Sequence, residues 1–369
     1  MKKIFISLLA VAALAACTKS EIAYEAPAEI GFAPATKNIT KAAVESGTLP
    51  TSNNLGVWAY WNGTNGSASE TTATYANYTD AYLSNALFSN REGTNNWGGA
   101  NNTAYPWPTT GALVFAGYTV PATTQTSDFG VTYSLIDNST TTDVNETDVM
   151  TFNNYTQSTL TASTYDLCWF GRTSSSFNYR TSNTAVPVTL SHALTWITFK
   201  IKGATSSSLP VTAGWKVTKV ELNGIKNVGT GTCVGTTSTT TTNGATTITP
   251  ASAVWSFASN AATNTMSVYP NNSETGQVIT ANATKIETTD KGVVVIPQTP
   301  TTVTVEWQYN VGSKTKKETK TLSLALGNGA DWKAGVHYTY TIVFDSNEIL
   351  VAPSYSGWDT PTDQTVTVQ

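Results

Sequence analysis

The sequence contains few of the residues on which enzyme active sites and metal centres depend. Its 369 residues include two histidines and three cysteines, and charged residues make up 12% of the chain. Zinc sites and Cys/His catalysis need several such side chains together, so both are nearly excluded. The formal net charge is -4, which provides no basic field for a polynucleotide or an anionic membrane surface. We therefore expect no cofactor, no metal site and no nucleic acid partner.

Long stretches with helical spacing are also missing. Beyond residue 17 the apolar residues follow a period of two, and threonine alone supplies 68 positions. β-branched side chains favour pleated, half-buried surfaces over helices. The sequence therefore predicts an all-β protein.

Strand alternation is clearest in three segments, in which apolar residues alternate with polar ones. The apolar positions are Ile197, Phe199 and Ile201; Val303, Val305, Trp307 and Tyr309; and Tyr338, Tyr340, Ile342 and Phe344. Each segment is typical of a strand with one buried face, and turn sequences separate these runs. The chain length suits two domains of roughly 150 to 180 residues. We expect two antiparallel β-sandwich domains in tandem, at residues 42–185 and 186–358.

The first 17 residues have the features of an export signal. Lys2 and Lys3 precede an apolar core at residues 4–13, and the sequence LAAC follows at residues 14–17. This pattern resembles a bacterial lipoprotein signal, in which Cys17 becomes the lipidated first residue of the exported protein. The alternative is an ordinary secretory signal with a chance cysteine.

The two remaining cysteines would suffice for one disulfide in an oxidising compartment. Cys168 falls within DLCWF at residues 166–170, a predicted buried strand. Cys233 falls in a Gly/Thr-rich stretch at residues 229–235, which we predict to be a loop of the next domain. We expect the two cysteines to remain unpaired.

Catalytic motifs are absent around the two histidines. Neither His192 nor His337 is accompanied by a Gly-x-Ser-x-Gly elbow, and both are expected to be structural. The acidic residues between Asp137 and Asp148 lack the glycine and spacing of an EF-hand, so a solvated loop is expected rather than a calcium site. We do not expect an enzyme.

Two of the eleven tryptophans lie in loop-like sequence. Trp97 precedes two glycines, and Trp107 lies between two prolines. Exposed indoles could stack on sugar rings, whereas buried ones would pack over the end of the first sandwich. Glycan contact through Trp97 and Trp107 is therefore an alternative function.

A series of short motifs runs along nearly the whole chain in a specific order. They are the lipobox at 14–17, EIGF at 29–32, TKA at 40–42, LGVWAYW at 55–61, W at 97, YPWP at 105–108, LVFAGY at 113–118, DL at 166–167, LSHAL at 190–194, VIPQ at 295–298, WKAG at 332–335, YTY at 338–340 and W at 358. With these motifs the sequence resembles the fimbrillin family of the Bacteroidetes, the subunits of lipoprotein-derived (type V) pili.

The resemblance implies a fold, a cellular route and a mode of assembly. The fold would be two transthyretin-like β-sandwiches, exported as a lipoprotein to the outer membrane. In that family a trypsin-like protease, often arginine-specific, removes an N-terminal strand, and a strand from a neighbouring subunit fills the groove. Here the cut is expected between Lys41 and Ala42, which makes residues 18–41 a pro-segment. Lys41 stands where the family commonly has arginine, so the protease could be trypsin-like or arginine/lysine-specific, and Lys37 is a competing site.

The sequence contains a candidate for each element of such an exchange, the strand that is removed and the strand that replaces it. Ile30 and Phe32 would lie on one face of the first strand, and removing them would expose a row of core positions. The tail at residues 359–369 alternates near its end, with Val366 and Val368 on one face. The tail is a candidate donor strand, although it could instead complete its own sheet.

The function expected from these features is a structural fimbrial subunit, a stalk pilin, at the cell surface. Its partners would be copies of itself, tip and anchor subunits, the maturation protease and, before cleavage, the outer membrane. The alternatives are a monomeric surface lipoprotein that binds glycans and a tip adhesin of the same family.

Overall fold

The computed structural model describes residues 28–36, 49–62, 80–91, 95–121, 130–135, 148–157, 166–173, 177–179, 184–204, 214–242, 245–250, 253–269, 276–286, 292–345, 349–357 and 360–365. Within these ranges the chain forms strands, turns and two 3-10 turns, and no α-helix occurs among them. The described part of the chain accordingly holds no helix that is long and apolar enough to span a membrane. The all-β prediction is confirmed.

The strands are numbered in chain order. The first twelve are β1 (Phe32–Thr36), β2 (Asn53–Trp61), β3 (Asp80–Asn90), β4 (Trp97–Gly99), β5 (Leu113–Pro121), β6 (Val131–Leu135), β7 (Asp148–Thr156), β8 (Cys168–Phe170), β9 (Val186–His192), β10 (Thr195–Gly203), β11 (Lys216–Lys226) and β12 (Val228–Thr242). The others are β13 (Ala245–Pro250), β14 (Val254–Ser256), β15 (Thr263–Tyr269), β16 (Gln277–Val278), β17 (Thr284–Lys285), β18 (Val293–Val295), β19 (Thr302–Val311), β20 (Lys314–Ser323), β21 (Val336–Phe344), β22 (Ile349–Gly357) and β23 (Thr360–Thr365).

Seven strands of the N-terminal half close into a barrel in the order β1-β4-β3-β2-β5-β8-β9. Neighbouring strands are antiparallel except β1 and β9, whose parallel pairing closes the barrel. Inward-facing residues such as Phe32, Val57, Phe88 and Phe115 form its core. On β5, alternate residues face this core and the outside of the barrel, where they join the third core described below, as expected for a strand that is apolar on both faces.

The C-terminal half forms a β-sandwich. One sheet has the order β17-β10-β21-β22-β23, with β18 also paired to β10; the other has the order β15-β11-β19-β20, with β16 also paired to β11. Their inner faces enclose a core that contains Ile197, Phe199, Val305 and Tyr340. The predicted alternation of β10, β19 and β21 therefore identifies the buried faces of both sheets. The lysines of β20 are exposed on an edge strand, where charge opposes edge-to-edge association.

A fourth sheet joins the two halves of the chain. Its order is β13-β12-β7-β6, with β14 also paired to β12. Strand β7 precedes the sandwich strands in sequence and pairs with β12 from Val228↔Thr156 to Val234↔Val149. Between this sheet, the barrel and the sandwich lies a third core, which contains Trp58, Phe152, Trp196 and Val294.

Two details of the sequence interpretation need correction. We expected the first domain to end at residue 185, but β9 pairs with β1 and β8, so the chain leaves the barrel only between His192 and Thr195. We expected a loop around Cys233, but this cysteine is buried in β12. The glycines of this stretch allow aromatic rings to pack against the backbone. A Cβ at Gly231, for example, would lie 2.8 Å from the indole of Trp255.

Cys168 and Cys233 are both buried and form no disulfide, as expected from the sequence. Burial raises the pKa of the Cys233 thiol well above its ordinary value. The thiol is therefore protonated at neutral pH and a poor nucleophile.

Candidate functional site: the N-terminal strand and its groove

The segment 28–36 forms part of the barrel wall, and buried and partly exposed side chains alternate along it. Ala28, Ile30, Phe32 and Pro34 are buried, while the residues between them are partly exposed. Ile30 and Phe32 lie on the inner face, as the sequence predicted. The strand itself begins at Phe32, later than the predicted 29–32, because the chain before it makes a single bridge from Glu29 to Pro106.

Main-chain hydrogen bonds hold this segment on both sides. On one side the Val186 N–H donates to the Gly31 carbonyl at 2.7 Å, and β1 pairs with β9 from Phe32↔Val186 to Thr36↔Leu190. On the other side β1 pairs with β4 at Phe32↔Trp97. In the described part of the chain, β1 is thus the only strand between the facing edges of β4 and β9.

The Phe32 side chain fills the centre of the barrel. It is fully buried and contacts Phe88 and Phe115 edge to face, with ring centroids 4.9 and 5.1 Å away. Such aromatic pairs add about 0.5–1.5 kcal/mol beyond the area that they bury. Without β1 the barrel would have a gap with aromatic walls.

One ion pair lies at the outer rim of the segment. The Arg91 guanidinium donates to the Glu29 carboxylate at 2.7 Å, and the two side chains are 43% and 37% exposed. Beside it is an open groove of about 710 Å³ whose lining includes Asn90, Asn96 and Asn101. This rim is polar, whereas the barrel interior that Phe32 fills is apolar.

The predicted processing residues follow this segment directly. Strand β1 ends at Thr36, and the next described residue, Leu49, is buried. Lys37, Lys41 and Ala42 lie between them, outside the described residues, and so does the predicted lipidation site Cys17.

The C-terminal tail begins as an edge strand of the sandwich. Strand β22 pairs with β21 along its whole length, and β23 pairs with β22 at Ser354↔Thr365, Tyr355↔Gln364 and Gly357↔Thr360. Val366 and Val368 lie outside the described residues. In this structure the described part of the tail thus extends its own sheet.

A family model described as fimbrillin-like matches residues 40–358. The chain belongs to the fimbrillin-like family. This finding confirms the resemblance deduced from the short motifs. It therefore identifies the chain as a member of a family of fimbrial proteins.

Several solved structures are similar to this fimbrillin-like chain. A fimbrial protein from Bacteroides vulgatus has a TM-score of 0.52 at 19% identity, over 82% of this chain and 92% of that chain. A candidate cell adhesion protein from Bacteroides uniformis has 0.45 at 14% identity, over 89% and 98%. A fimbrial assembly protein from Parabacteroides distasonis has 0.37 at 13% identity, over 93% and 100%. The comparison with curated proteins gives no match. At 19% identity the likeness to the first structure shows a shared fold.

The proposed glycan platforms of the fimbrillin-like chain are buried. Trp97 is 1% exposed, and its indole N–H donates to the Asn53 carbonyl at 3.0 Å. Trp107 is 4% exposed and packs edge to face on Phe115 and Tyr179. Neither ring has a free face for a sugar, so the glycan alternative at these residues is wrong. The local sequence resembled a loop, but both rings belong to the barrel core.

Three buried side chains form a polar cluster that the sequence analysis missed. His192 Nδ1 lies 2.5 Å from Asp166 Oδ2, and the Cys168 thiol donates to the same oxygen at 3.4 Å. The Asp166 and His192 side chains are at most 1% exposed, so no substrate can reach them in this arrangement. The three residues could together hold a metal ion; in this structure the His192 ring and the Asp166 carboxylate bind each other directly. Asp166 and His192 are 26 residues apart, and only the pairing of β8 with β9 brings them together.

His337 also has a structural position. It stacks on Trp196 with ring centroids 3.5 Å apart, and its Nε2 is 2.9 Å from the Thr198 hydroxyl. Burial lowers the pKa of His337 to about 3, with smaller contributions from Lys285 and Lys200. The ring is therefore neutral at pH 7.

Asp148 differs from the solvated acidic loop that we expected. It begins β7, is 1% exposed, and accepts hydrogen bonds from the Arg172 N–H at 2.7 Å and the Tyr133 hydroxyl at 3.0 Å. Both donors bind Oδ2, while Oδ1 is buried and has no hydrogen-bond partner among the described residues. The other acidic residues of this stretch lie outside the described residues.

Proposed function

We propose that this fimbrillin-like chain is a stalk pilin that polymerises by strand exchange after proteolysis removes its N-terminal strand. The observation that carries the proposal is the placement of segment 28–36. It is continuous, it has one apolar row, and it separates two strands that do not otherwise pair. A non-enzymatic, structural role follows from this proposal.

Loss of the segment would expose apolar core side chains and two strand edges, which another strand would have to cover. Burying a side chain such as Ile30 or Phe32 contributes about 1.5–3 kcal/mol, and both would be lost together. The edges of β4 and β9 would also be left with unpaired main-chain groups, which readily pair with a strand of another chain. A donor strand with alternating apolar residues supplies both kinds of contact.

The maturation that we propose begins with lipidation of Cys17 and export to the outer membrane. A trypsin-like or arginine/lysine-specific protease then cuts between Lys41 and Ala42, with Lys37 as the competing site. The position of β1 supports this order, because a cut beyond Thr36 releases the strand without breaking it. The family match begins at residue 40, next to the proposed cut.

The donor strand in our proposal is the C-terminal tail, residues 359–369, with Val366 and Val368 as apolar anchors. Its edge position supports this choice, since β23 has β22 as its described neighbour and can leave without separating any other strands. The pairing of β23 with β22 in the free subunit would then be replaced on assembly. The presence of both a cleavage site and a tail favours a stalk subunit over an anchor or a tip.

The proposal is tested by cutting the purified chain, residues 18–369, with trypsin at low enzyme concentration. The cut protein should begin at Ala42 and form a ladder of oligomers on native gels, while the uncut protein stays monomeric. The variant Lys41→Gln should suppress both results, and where trypsin still cuts at Lys37 the double variant Lys37→Gln/Lys41→Gln should do so. A chain cut at Ala42 that remains a folded monomer would refute strand exchange.

The donor is identified by truncating the chain before Thr360. The truncated subunit should keep its fold by circular dichroism, because β23 is an edge strand with β22 as its described neighbour, but it should not extend a fibre. The variant Val366→Asp should be nearly as damaging, since an unpaired carboxylate is costly to bury, whereas Thr367→Asp on the opposite face should be milder. Normal polymerisation of the truncated chain would place the donor elsewhere.

A further inference from the structure

The Glu29–Arg91 ion pair connects the removable segment to the part of the barrel that remains after cleavage. Glu29 leaves with the pro-segment in the proposed maturation, whereas Arg91 follows β3 and stays. Of the ion pairs in the described part of the chain, this one alone joins segment 28–36 to the barrel. Cleavage therefore removes the carboxylate that Arg91 contacts at 2.7 Å.

The Arg91 side chain is positioned rather than free to spread over the surface. Its main-chain N–H donates to the Asn96 carbonyl at 2.9 Å, and its guanidinium lies across Gly98. A Cβ at Gly98 would be 1.8 Å from Arg91 Nε, so a larger residue there would displace the arginine. The strand β4 thus directs the guanidinium towards the place that Glu29 occupies.

A second group at this rim also faces the removable segment. The side-chain oxygen of Asn96 is buried and accepts no hydrogen bond among the described residues. It lies against Gly31, where a Cβ would be 2.7 Å away. Once the segment has left, this acceptor is uncovered next to Arg91. The rim then offers a cation, an amide acceptor and the neighbouring asparagines of the 710 Å³ groove.

The C-terminal tail has the complementary chemistry. Residues 334–369 contain no lysine or arginine, and the tail at 359–369 contains Asp359 and Asp363 together with threonine and glutamine. We infer that Arg91, once Glu29 has left, selects the incoming strand by pairing with an acidic side chain in the tail of a second copy, with Asp363 as the partner. This inference rests on the proposed strand exchange.

The same arginine would act before and after cleavage. In the precursor, Glu29 satisfies Arg91 and disfavours entry of a foreign acidic strand. In the cut subunit, Arg91 attracts the tail of the next subunit and fixes its register. Both partners of the present pair are partly exposed, and exposed pairs contribute little to stability. The effect is therefore expected mainly in the rate and selectivity of association.

The test compares assembly rates of cut subunits by light scattering at low and high salt. Arg91→Glu and Asp363→Lys should each slow assembly about five- to tenfold at low salt and much less in 1 M salt. The double variant Arg91→Glu/Asp363→Lys should assemble within about twofold of the wild type, because the pair is restored with reversed charges. Arg91→Lys should stay close to the wild-type rate.

Controls separate this inference from the proposed function. Lys317→Glu changes the exposed charge of β20 by the same amount and should leave the rate unchanged. A labelled peptide of residues 360–369 should bind the cut Arg91→Glu subunit more weakly than the wild type, and its Asp363→Lys form should show the opposite preference. If the wild type assembles and Arg91→Glu does so at the same rate, or the double variant is not rescued, the selection is refuted while strand exchange stands. If the cut wild type does not assemble, both proposals fail.

Discussion

Asp166, Cys168 and His192 connect β8 to β9 inside the barrel wall, where Cys168 and His192 are register partners. Strand β9 also pairs with β1 along five residues. In the proposed cut subunit, β8 would be the remaining described strand that pairs with β9. The hydroxyl of Tyr155 is close enough to this cluster that Asp166 and Cys168 raise its pKa further, after the larger effect of burial. The cluster therefore fixes the strand that forms one wall of the groove.

His192→Ala should destabilise the chain by about 3–5 kcal/mol, because it leaves the buried Asp166 Oδ2 with only the weak thiol donor of Cys168. Urea unfolding followed by tryptophan fluorescence measures the change. The double variant Asp166→Leu/His192→Leu should lose clearly less, since apolar side chains replace both members of the pair. Equal losses for the single and double variants would show that packing, and not the buried charge, sets the effect.

His337 predicts a pH dependence of stability. Its pKa is about 3 in the folded chain and 6.5 in the unfolded chain, so the unfolded state binds more protons between these values. The contribution of His337 is complete above pH 6.5 and falls by at most about 1.4 kcal/mol per pH unit as the pH drops towards 3. The free energy of unfolding of wild type and His337→Gln, measured from pH 7.5 to 4, should converge at low pH. Parallel curves would contradict the buried, neutral ring.

At the scale of elements, β1 is a replaceable part of a closed barrel. Its alternation was visible in the sequence, since Ile30 and Phe32 are two residues apart and separated by Gly31. Its neighbours could not be predicted, because a period of two assigns faces to a strand but does not choose its partners. The parallel pairing of β1 with β9 joins residues more than 150 positions apart. Trp97 was misassigned for a related reason, because the glycines beside it serve close approach rather than a loop.

Phe32→Ala should destabilise the uncut chain by about 3–5 kcal/mol, because it leaves a cavity between Phe88 and Phe115. After trypsin removes the pro-segment, the same chain should match the wild type in both stability and assembly rate, since the altered residue has left. Thermal unfolding before and after the cut measures the stability, and light scattering of the cut chains measures the assembly rate. Ala33→Ser, on the partly exposed face of the same strand, is the matched control. A defect that persists after cleavage would show that the segment is not released.

At the scale of the whole molecule, the fourth sheet and the third core make one mechanical unit of the barrel and the sandwich. Phe152 on β7 stacks on Trp255 of β14 at 6.5 Å, and the Trp255 indole donates to the Ala193 carbonyl at 2.8 Å. In the fibre that we propose, a force that enters at the groove would be transmitted through these packed side chains to the tail sheet. Sequence analysis placed a boundary near residue 185 because it could not detect a sheet built from β7 and β12. The sequences of the two strands do not reveal this pairing, because β7 has the alternation of any half-buried strand and β12 is rich in glycine and threonine.

This continuity predicts a single cooperative unfolding transition, which calorimetry should detect as equal calorimetric and van't Hoff enthalpies. Gly231→Ala should separate it into two, because a Cβ at this position lies 2.8 Å from the Trp255 ring and displaces it from the core between the halves. The strain of such overpacking is about 1–3 kcal/mol, and it falls on the contacts that couple the barrel to the sandwich. Gly327→Ala is the control, because Gly327 has no neighbouring atom within 4 Å of an added Cβ, and it should keep one transition. If the wild type already unfolds in two steps, the halves fold independently and the fourth sheet is only a contact between them.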